Sequence, residues 1–188
     1  MDKILYINAC VREDSRTNIL AKYLLDKLDG DIEEIKLTNT NITPLTAETL
    51  KKRDEFIYKN DFTSSVFDYA KQFKKADIIV ISAPYWDFSF PALLKTYFEN
   101  INVLGITFEY TKEGFPKGLC NAKKLFYITT SGGPIVSDEF GYGYVKALSN
   151  TLYGIKNVEY INAQGLDIYG ADIDKILKTA KEDIDKLF

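Results

Sequence analysis

The sequence predicts an α/β protein in which a five-stranded parallel sheet is covered by helices on both faces. Short apolar runs alternate with longer segments of helical periodicity along the whole chain, which is the pattern of successive βα units. The run Asp77–Ser82 is apolar throughout, as is typical of a strand that is buried on both faces. No linker or repeat divides the 188 residues, so we expect one domain over residues 1–188.

The first part of the chain is predicted to hold two strands and the helices around them. The apolar run Lys3–Ala9 is the first strand, and helical periodicity begins at Ser15. One face of this first helix is apolar at helical spacing: Ile19, Leu20, Tyr23, Leu24 and Leu28. The alternating segment Asp31–Leu37 is a more exposed second strand. The segment Leu45–Lys75 has the pattern of two helices with a break near residues 59–61.

The central part of the chain is predicted to hold the third and fourth strands. Asp77–Ser82 is the third strand, and Pro91 suits the first turn of the helix that follows it. The segment Gly105–Cys120 alternates and contains three glycines, so either an irregular hairpin or a long loop fits it. Lys123–Ser131 is the fourth strand.

The last part of the chain completes the alternation. Gly132–Gly143 is predicted to be a loop, Tyr144–Tyr153 a helix and Val158–Gly165 the fifth strand. The final helix has one apolar face: Ile173, Ile176, Leu177, Ala180, Ile184 and Leu187.

The composition excludes several classes of function. The net charge of −3 and the absence of a basic block argue against a protein that neutralises nucleic-acid phosphates. No apolar run approaches the length of about 20 residues that a membrane span needs. The N-terminus lacks the charged and apolar regions of a signal peptide. We therefore expect a cytoplasmic protein without nucleic-acid or membrane partners.

The absence of histidine restricts the possible chemistry. The chain has no histidine and two cysteines, Cys10 and Cys120. Ser-His-Asp and Cys-His catalysis and a histidine-ligated zinc site are therefore excluded. If the protein is an enzyme, a bound cofactor that carries its own chemistry would solve this problem. We expect no catalytic side chain and no metal site.

The loop after the first strand contains a candidate anion site. Ser15, Arg16 and Thr17 stand where the first helix begins, and free N–H groups and the helix dipole attract anions there. Arg16 could add a charge-assisted hydrogen bond to a phosphate. Ser15 and Thr17 are also good helix caps, and capping is the favoured explanation of this segment taken alone. The chain has neither a P-loop nor a G-x-G-x-x-G fingerprint.

The loops after the third and fourth strands supply flat rings and glycines. Tyr85, Trp86, Asp87 and Phe88 follow the third strand, and the sequence "TTSGGP" from Thr129 follows the fourth. An aromatic cluster under a loop and an ordinary turn would each explain one of these segments. In a parallel sheet, however, both loops lie at the same edge as the Ser15 loop. A phosphate site, a flat shelf and a glycine-lined edge match the three parts of flavin mononucleotide (FMN).

The segment "APYWDFSFPALLKTYFENINVLGITFEYTKEGFPKGLCNAKKLFYITTSGG", residues 83–133, resembles the core of the FMN-dependent NADH azoreductase and NAD(P)H quinone reductase family. The shared features are a Pro followed by a hydrophobic–aromatic pair, a Leu-Lys-x-Tyr-Phe helix, a Gly-x-Thr-Phe-x-Tyr segment and a Gly-Gly loop. Weaker matches are Ser15–Asn18 and the sequence "AQGLDIYG" near the last strand.

The resemblance implies a flavodoxin-like fold with strand order 2-1-3-4-5 and a homodimer with FMN at its interface. It also implies hydride transfer from NADH or NADPH to the flavin and then to a quinone or azo acceptor, for which we expect ping-pong kinetics. The implied phosphate contacts are Ser15, Arg16 and Thr17. The residues implied around the flavin ring are Tyr85, Trp86, Asp87, Phe88, Thr130, Ser131, Gly132 and Gly133.

Two positions depart from the family pattern. Cys10 stands where the family often has a serine. We still place Cys10 at the cofactor, but this replacement weakens one contact with the phosphate. Asp87 stands where the family favours Asn. An ionised Asp87 would oppose extra electron density on a nearby reduced flavin and could lower its potential. If its side chain turns away from the ring, the change is neutral.

Two other functions fit the same fold, namely a flavodoxin-type electron carrier and a non-catalytic binding module. The weak acidity of the chain and the long segment Gly105–Cys120 favour the oxidoreductase over the carrier, because that segment could shape a substrate pocket. Phe108, Tyr110 and Phe115 are candidates to cover the outer face of the flavin. Packing of the loop or a dimer contact explains these three rings equally well.

Overall fold

The computed structural model of the protein, which describes residues 1–188, contains a five-stranded parallel sheet and a separate hairpin. The strands of the sheet are β1 (Asp2–Asn8), β2 (Gly30–Lys36), β3 (Ile78–Ser82), β6 (Lys124–Thr130) and β7 (Asn157–Ala163). The hairpin consists of β4 (Phe108–Tyr110) and β5 (Pro116–Gly118). The order of the strands in the sheet is β2-β1-β3-β6-β7.

The predicted order 2-1-3-4-5 does not match this order in its numbering. The difference arises in the segment Gly105–Cys120, which forms the hairpin and so adds two short strands between the third and fourth strands of the sheet. The parallel pairing itself is continuous. Ile4 of β1, for example, lies opposite Ile32 of β2 on one side and Ile78 of β3 on the other.

Six α-helices connect and cover the strands. They are α1 (Arg16–Leu25), α2 (Ala47–Tyr58), α3 (Asp68–Lys75), α4 (Ala92–Ile101), α5 (Tyr144–Leu148) and α6 (Ile173–Asp185). Short 3₁₀ turns occur at Leu37–Asn39 and Ser65–Phe67, and π-helical turns flank α5 at Glu139–Gly143 and Ser149–Tyr153. No helix combines the length and the apolar character that crossing a bilayer would require.

Alternate side chains of the strands enter two separate cores, one on each face of the sheet. The core on the α3 and α4 face includes Leu5, Ile79, Phe73 and Tyr97. The core on the α1 and α6 face includes Ile4, Val80, Leu20 and Ile184. This burial on both sides confirms the prediction of a parallel sheet covered on both faces.

Two local predictions are wrong. Ile19 was expected on the buried face of α1 but is 45% exposed, because the core-facing stripe of the helix is centred on Leu20 and Leu24 and Ile19 lies at its edge. The loop expected over Gly132–Gly143 ends in a helical turn that begins at Glu139. Its glycines lower the helix propensity, so the sequence shows no helical pattern there.

Candidate functional site

The carboxyl ends of the parallel strands surround a cleft at one edge of the sheet. The cleft has a volume of about 260 Å³ and lies among the loops after β1, β3, β6 and β7. Its walls are formed by Val11, Arg12, Asp14, Ser15, Arg16, Thr17, Pro84, Tyr85, Trp86, Thr130, Ser131, Gly132, Leu166 and Asp167. Eight of the expected cofactor residues are in this set. Cys10, Asp87, Phe88 and Gly133 are not.

Ser15 caps the first helix at the cleft. Its Oγ accepts a hydrogen bond from the backbone N–H of Asn18 at 3.4 Å, and α1 begins at the next residue, Arg16. The first N–H groups of a helix have no carbonyl partner within it, and the helix dipole adds partial positive charge there. Capping by Ser15 and attraction of an anion are therefore compatible, because the cap uses only one of these N–H groups.

The Arg16 side chain crosses the cleft to the loop after β7. Its Nη1 donates to the backbone carbonyl of Leu166 at 3.1 Å and to Oδ1 of Asp167 at 2.7 Å. The backbone N–H of Asp167 in turn donates to the carbonyl of Gly132 at 2.9 Å. A Cβ atom at Gly132 would lie only 2.4 Å from Oδ2 of Asp167. Glycine at residue 132 lets the Asp167 carboxylate pack against its backbone, and a larger residue there would displace that carboxylate.

Leu166 and Asp167 were not among the expected site residues. A signal for them was present, since a fifth parallel strand must end at the same edge as the others. The prediction considered the loops after the first, third and fourth strands and took "AQGLDIYG" only as a weak family match. The structure also brings the loop after β7 to the cleft, where Leu166 and Asp167 accept hydrogen bonds from Arg16.

Thr17 joins α1 to the end of β6. Its hydroxyl lies 2.7 Å from the hydroxyl of Thr130, and both side chains are buried. Each hydroxyl therefore satisfies the other within the protein. A phosphate at the start of α1 would therefore meet the backbone N–H of Thr17 and not its hydroxyl, which instead fixes the position of the first turn.

Cys10 lies beneath the loop and outside the walls of the cleft. Its Sγ is 3.5 Å from Oγ of Ser82, and only 2% of the residue is exposed. Burial raises the pKa of the Cys10 thiol above its ordinary value. The thiol is therefore a neutral group packed under the cleft, which differs from the cofactor contact expected for it.

Trp86, Asp87, Phe88 and Ser89 form a tight turn at the end of β3. The backbone N–H groups of Trp86 and Ser89 each donate to the carbonyl of the other residue, at 3.1 and 2.7 Å. Asp87 and Phe88 have φ angles of 49° and 68°. Positive φ at both central residues is the mark of a type I′ turn. Asp tolerates this conformation, which gives a structural reason for Asp or Asn at residue 87, whereas Phe88 is strained.

This turn presents its aromatic rings outwards. Trp86 is 42% exposed and lines the cleft, and Phe88 is 55% exposed beyond it. Strained backbone at a binding site persists only where the surrounding structure holds it. Here Oγ of Ser89 donates to the carbonyl of Phe140 at 2.6 Å and so fastens the turn to the loop after β6.

The loop after β6 is held at several points by hydroxyl groups. Tyr85 donates to the carbonyl of Ser137 at 3.3 Å, and Tyr160 donates to Oδ1 of Asp138 at 2.8 Å. At the start of the loop, Oγ of Ser131 donates to the carbonyl of Gly133 at 2.6 Å. Gly133 therefore shapes the turn that places Ser131 and Gly132 at the cleft.

The hairpin rings lie outside the cleft. Phe108 and Tyr110 pack edge to face with centroids 5.5 Å apart, while Tyr110 is 57% and Phe115 is 69% exposed. None of the three lines the cleft of a single chain. The hairpin is fixed by close backbone packing, since a Cβ atom at Gly118 would lie 2.2 Å from the backbone of Gly154.

The sheet and the cleft together define a flavodoxin-like α/β protein. The sequence model of the family described as "Flavodoxin-like fold" matches residues 2–188. The chain is 37% identical to the FMN-dependent NADH:quinone oxidoreductase 2 of Clostridium acetobutylicum, over 97% of this chain and 96% of that protein. It is 36% identical to the FMN-dependent NADH:quinone oxidoreductase of Lachnoclostridium phytofermentans, with the same two coverages. The chain belongs to the family of these FMN-dependent NADH:quinone oxidoreductases.

A solved structure agrees with this assignment. The FMN-dependent NADH-azoreductase of Bacillus anthracis, determined in complex with FMN, superposes with a TM-score of 0.82. The two chains are 26% identical, and the match covers 100% of this chain and 97% of the other. These comparisons confirm the family that the segment Ala83–Gly133 predicted.

The strain at Phe88 predicts an inverted order of two substitutions. Phe88→Gly and Phe88→Ala both remove the ring, but only glycine adopts a positive φ without steric cost. We expect Phe88→Gly to have the higher free energy of unfolding, by about 1 kcal/mol, in urea denaturation. The matched pair Trp86→Gly and Trp86→Ala, at a residue without positive φ, should show the opposite order. A more stable Phe88→Ala variant would contradict the strained turn.

Proposed function

We propose that this protein is an FMN-dependent oxidoreductase that transfers hydride from NADH to quinone or azo acceptors. The single observation that carries the proposal is the cleft, where a helix N-terminus, two arginines, aromatic rings and Gly132 meet. The names of the relatives supply the cofactor, the donor and the acceptor class. NADH is favoured over NADPH because those names specify it.

The groups that line the cleft fit FMN. The first turn of α1, the Ser15 hydroxyl and the Arg16 guanidinium are donors suited to its phosphate. Tyr85 and Trp86 offer flat surfaces to its ring, and Ser131 and Gly132 form the opposite edge. The carboxylate of Asp167, which would repel an anion, is paired with Arg16. Asp87 and Phe88 act through the turn that carries Trp86.

Bound FMN supplies the redox chemistry, which is why a chain without histidine suffices for the reaction. The chain itself binds the cofactor, orients it and shields it from water. The paired hydroxyls of Thr17 and Thr130 and the bonded loop after β6 hold the cleft walls in one geometry. Such positioning supplies much of the rate in a reaction that needs alignment of donor and acceptor. Because there is one cleft at the strand ends, donor and acceptor use it in turn.

A second copy of this chain completes the site in our proposal. Large rings and apolar chains are exposed on the loops around the cleft and on the hairpin: Trp86, Phe88, Tyr110, Phe115, Val136, Phe140, Ile168 and Tyr169. Exposed apolar patches of this kind mark interaction surfaces. A homodimer would cover them and bring Phe108, Tyr110 and Phe115 of the hairpin to a substrate pocket, the role expected for them from the sequence. The whole chain acts as one domain in this assembly.

Alternating use of one cleft predicts ping-pong kinetics. Initial rates of the FMN-saturated protein, measured against NADH at several fixed quinone concentrations, should give parallel double-reciprocal lines. Intersecting lines would show that donor and acceptor bind together and would contradict the shared cleft. An absence of NADH oxidation in the FMN-saturated protein would instead favour an electron carrier or a binding module.

Arg16 should govern the affinity for FMN more than the rate at saturation. We expect Arg16→Gln to raise the dissociation constant of FMN by about ten-fold or more, the loss of a hydrogen bond to a charged group. Activity should return on adding FMN. The matched control Lys22→Gln removes the same charge from the other end of α1 and should bind FMN like the parent. Equal FMN titrations of Arg16→Gln and the parent would place the phosphate elsewhere.

A further inference from the structure

A second, larger cavity lies between α2 and the turns that precede α3. Its volume is about 600 Å³, and it shares no residue with the cofactor cleft. It is lined by Asn39, Thr40, Asn41, Thr49, Lys52, Arg53, Phe56, Ser64, Ser65, Val66 and Tyr69. The size falls within the range of pockets for small ligands. Nothing in the proposed oxidoreductase function uses this cavity.

The charge in this cavity is one-sided. Lys52 and Arg53 are its two cationic side chains, and no Asp or Glu lines it. Neither residue belongs to an ion pair of the structure, in contrast to Arg16 at the cofactor cleft. A cavity with two cations and no carboxylate attracts an anion.

Arg53 is held in place with part of its donor set unused. Its Nη1 donates to the backbone carbonyl of Glu99 in α4 at 3.1 Å. Its Nε is buried and has no acceptor among the protein atoms. Burial lowers the pKa of the Arg53 guanidinium, and the neighbouring Asp54 compensates only in part. Arg53 lines the cavity, is only partly buried and has no carboxylate partner, so a negatively charged group in the cavity would meet an unpaired cation.

The remaining walls suit an organic phosphate. Ser65, Asn41 and Tyr69 add a hydroxyl, an amide and a phenol, which are donors for phosphate oxygens or for a sugar. The rings of Phe56 and Tyr69 give the cavity aromatic surface. Arginine presents several N–H donors to a phosphate, and the structure gives only Nη1 of Arg53 an acceptor.

We propose that this cavity is a binding site for a small organic phosphate of nucleotide size. Arg53 and Lys52 hold the phosphate, and Phe56 and Tyr69 contact the organic part. The ligand fastens α2 to α4, because Arg53 already bonds to the carbonyl of Glu99. The site is independent of FMN, so its presence or absence does not affect the proposed oxidoreductase function.

Calorimetric titration of the FMN-saturated protein with AMP tests this site. AMP should bind, and adenosine, which lacks the phosphate, should bind at least about ten-fold more weakly. Arg53→Gln and Lys52→Gln should each weaken the binding of AMP by a similar factor. Lys52 is exposed, so the second variant tests the site even if loss of the Arg53–Glu99 contact disturbs folding. Lys51→Gln, the same charge change at an exposed neighbour outside the cavity, should leave AMP binding unchanged.

Three results would overturn the proposal. The first is an absence of binding by both AMP and inorganic phosphate at millimolar concentration. The second is equal AMP binding by the parent and the Lys52→Gln variant, which would place the ligand elsewhere. The third is release of FMN by AMP, visible as a change in flavin absorption, which would assign the binding to the cofactor cleft.

Discussion

The parallel alignment of five strands is the constraint on which the rest of this structure depends. Because β1, β3, β6 and β7 all run in one direction, the loops that follow them meet at one edge of the sheet. The same alignment directs the start of α1 to that edge, so its free N–H groups face the cleft. A helix N-terminus, flat rings and a glycine-lined wall therefore come together at one edge although they are far apart in the sequence.

Polar groups buried beneath the loop ends of the cleft are stabilised by hydrogen bonds to one another. Beneath the cleft, the hydroxyl of Tyr6 lies 2.7 Å from Oδ1 of Asn18 and 2.8 Å from Oγ of Ser82. The amide of Asn8 donates to Oε1 of Glu34 at 2.8 Å and so ties β1 to β2. Such a satisfied network fixes the position of the helix that begins at the cleft. The strained turn at Phe88 is tolerated because its ends are held by two hydrogen bonds. Tyr85 N–H donates to the carbonyl of Thr130 at 2.9 Å, and Ser89 Oγ donates to the carbonyl of Phe140.

Much of this arrangement could be predicted from the sequence, and the limits have physical causes. Periodicity and apolar runs identify the five sheet strands, because burial on one or both faces leaves a local pattern. The loops after β1, β3 and β6 follow from parallel topology.

The partner of Arg16, Asp167, could not be assigned, since a side-chain pair more than a hundred residues apart leaves no local pattern. The burial of Cys10 and the pairing of Thr17 with Thr130 likewise depend on how close α1 lies to the strand ends. The cavity around Arg53 depends on how α2 packs, which α2's weak apolar pattern does not specify.

The central claim is that the cleft at the strand ends holds FMN in a position where NADH reduces it. The most direct measurement is the visible absorption of the FMN-loaded protein under anaerobic conditions while NADH is added without any acceptor. We expect the absorption of the bound flavin to disappear in proportion to the NADH added, and to return when a quinone is introduced. Persistence of the oxidised flavin spectrum in excess NADH would contradict it.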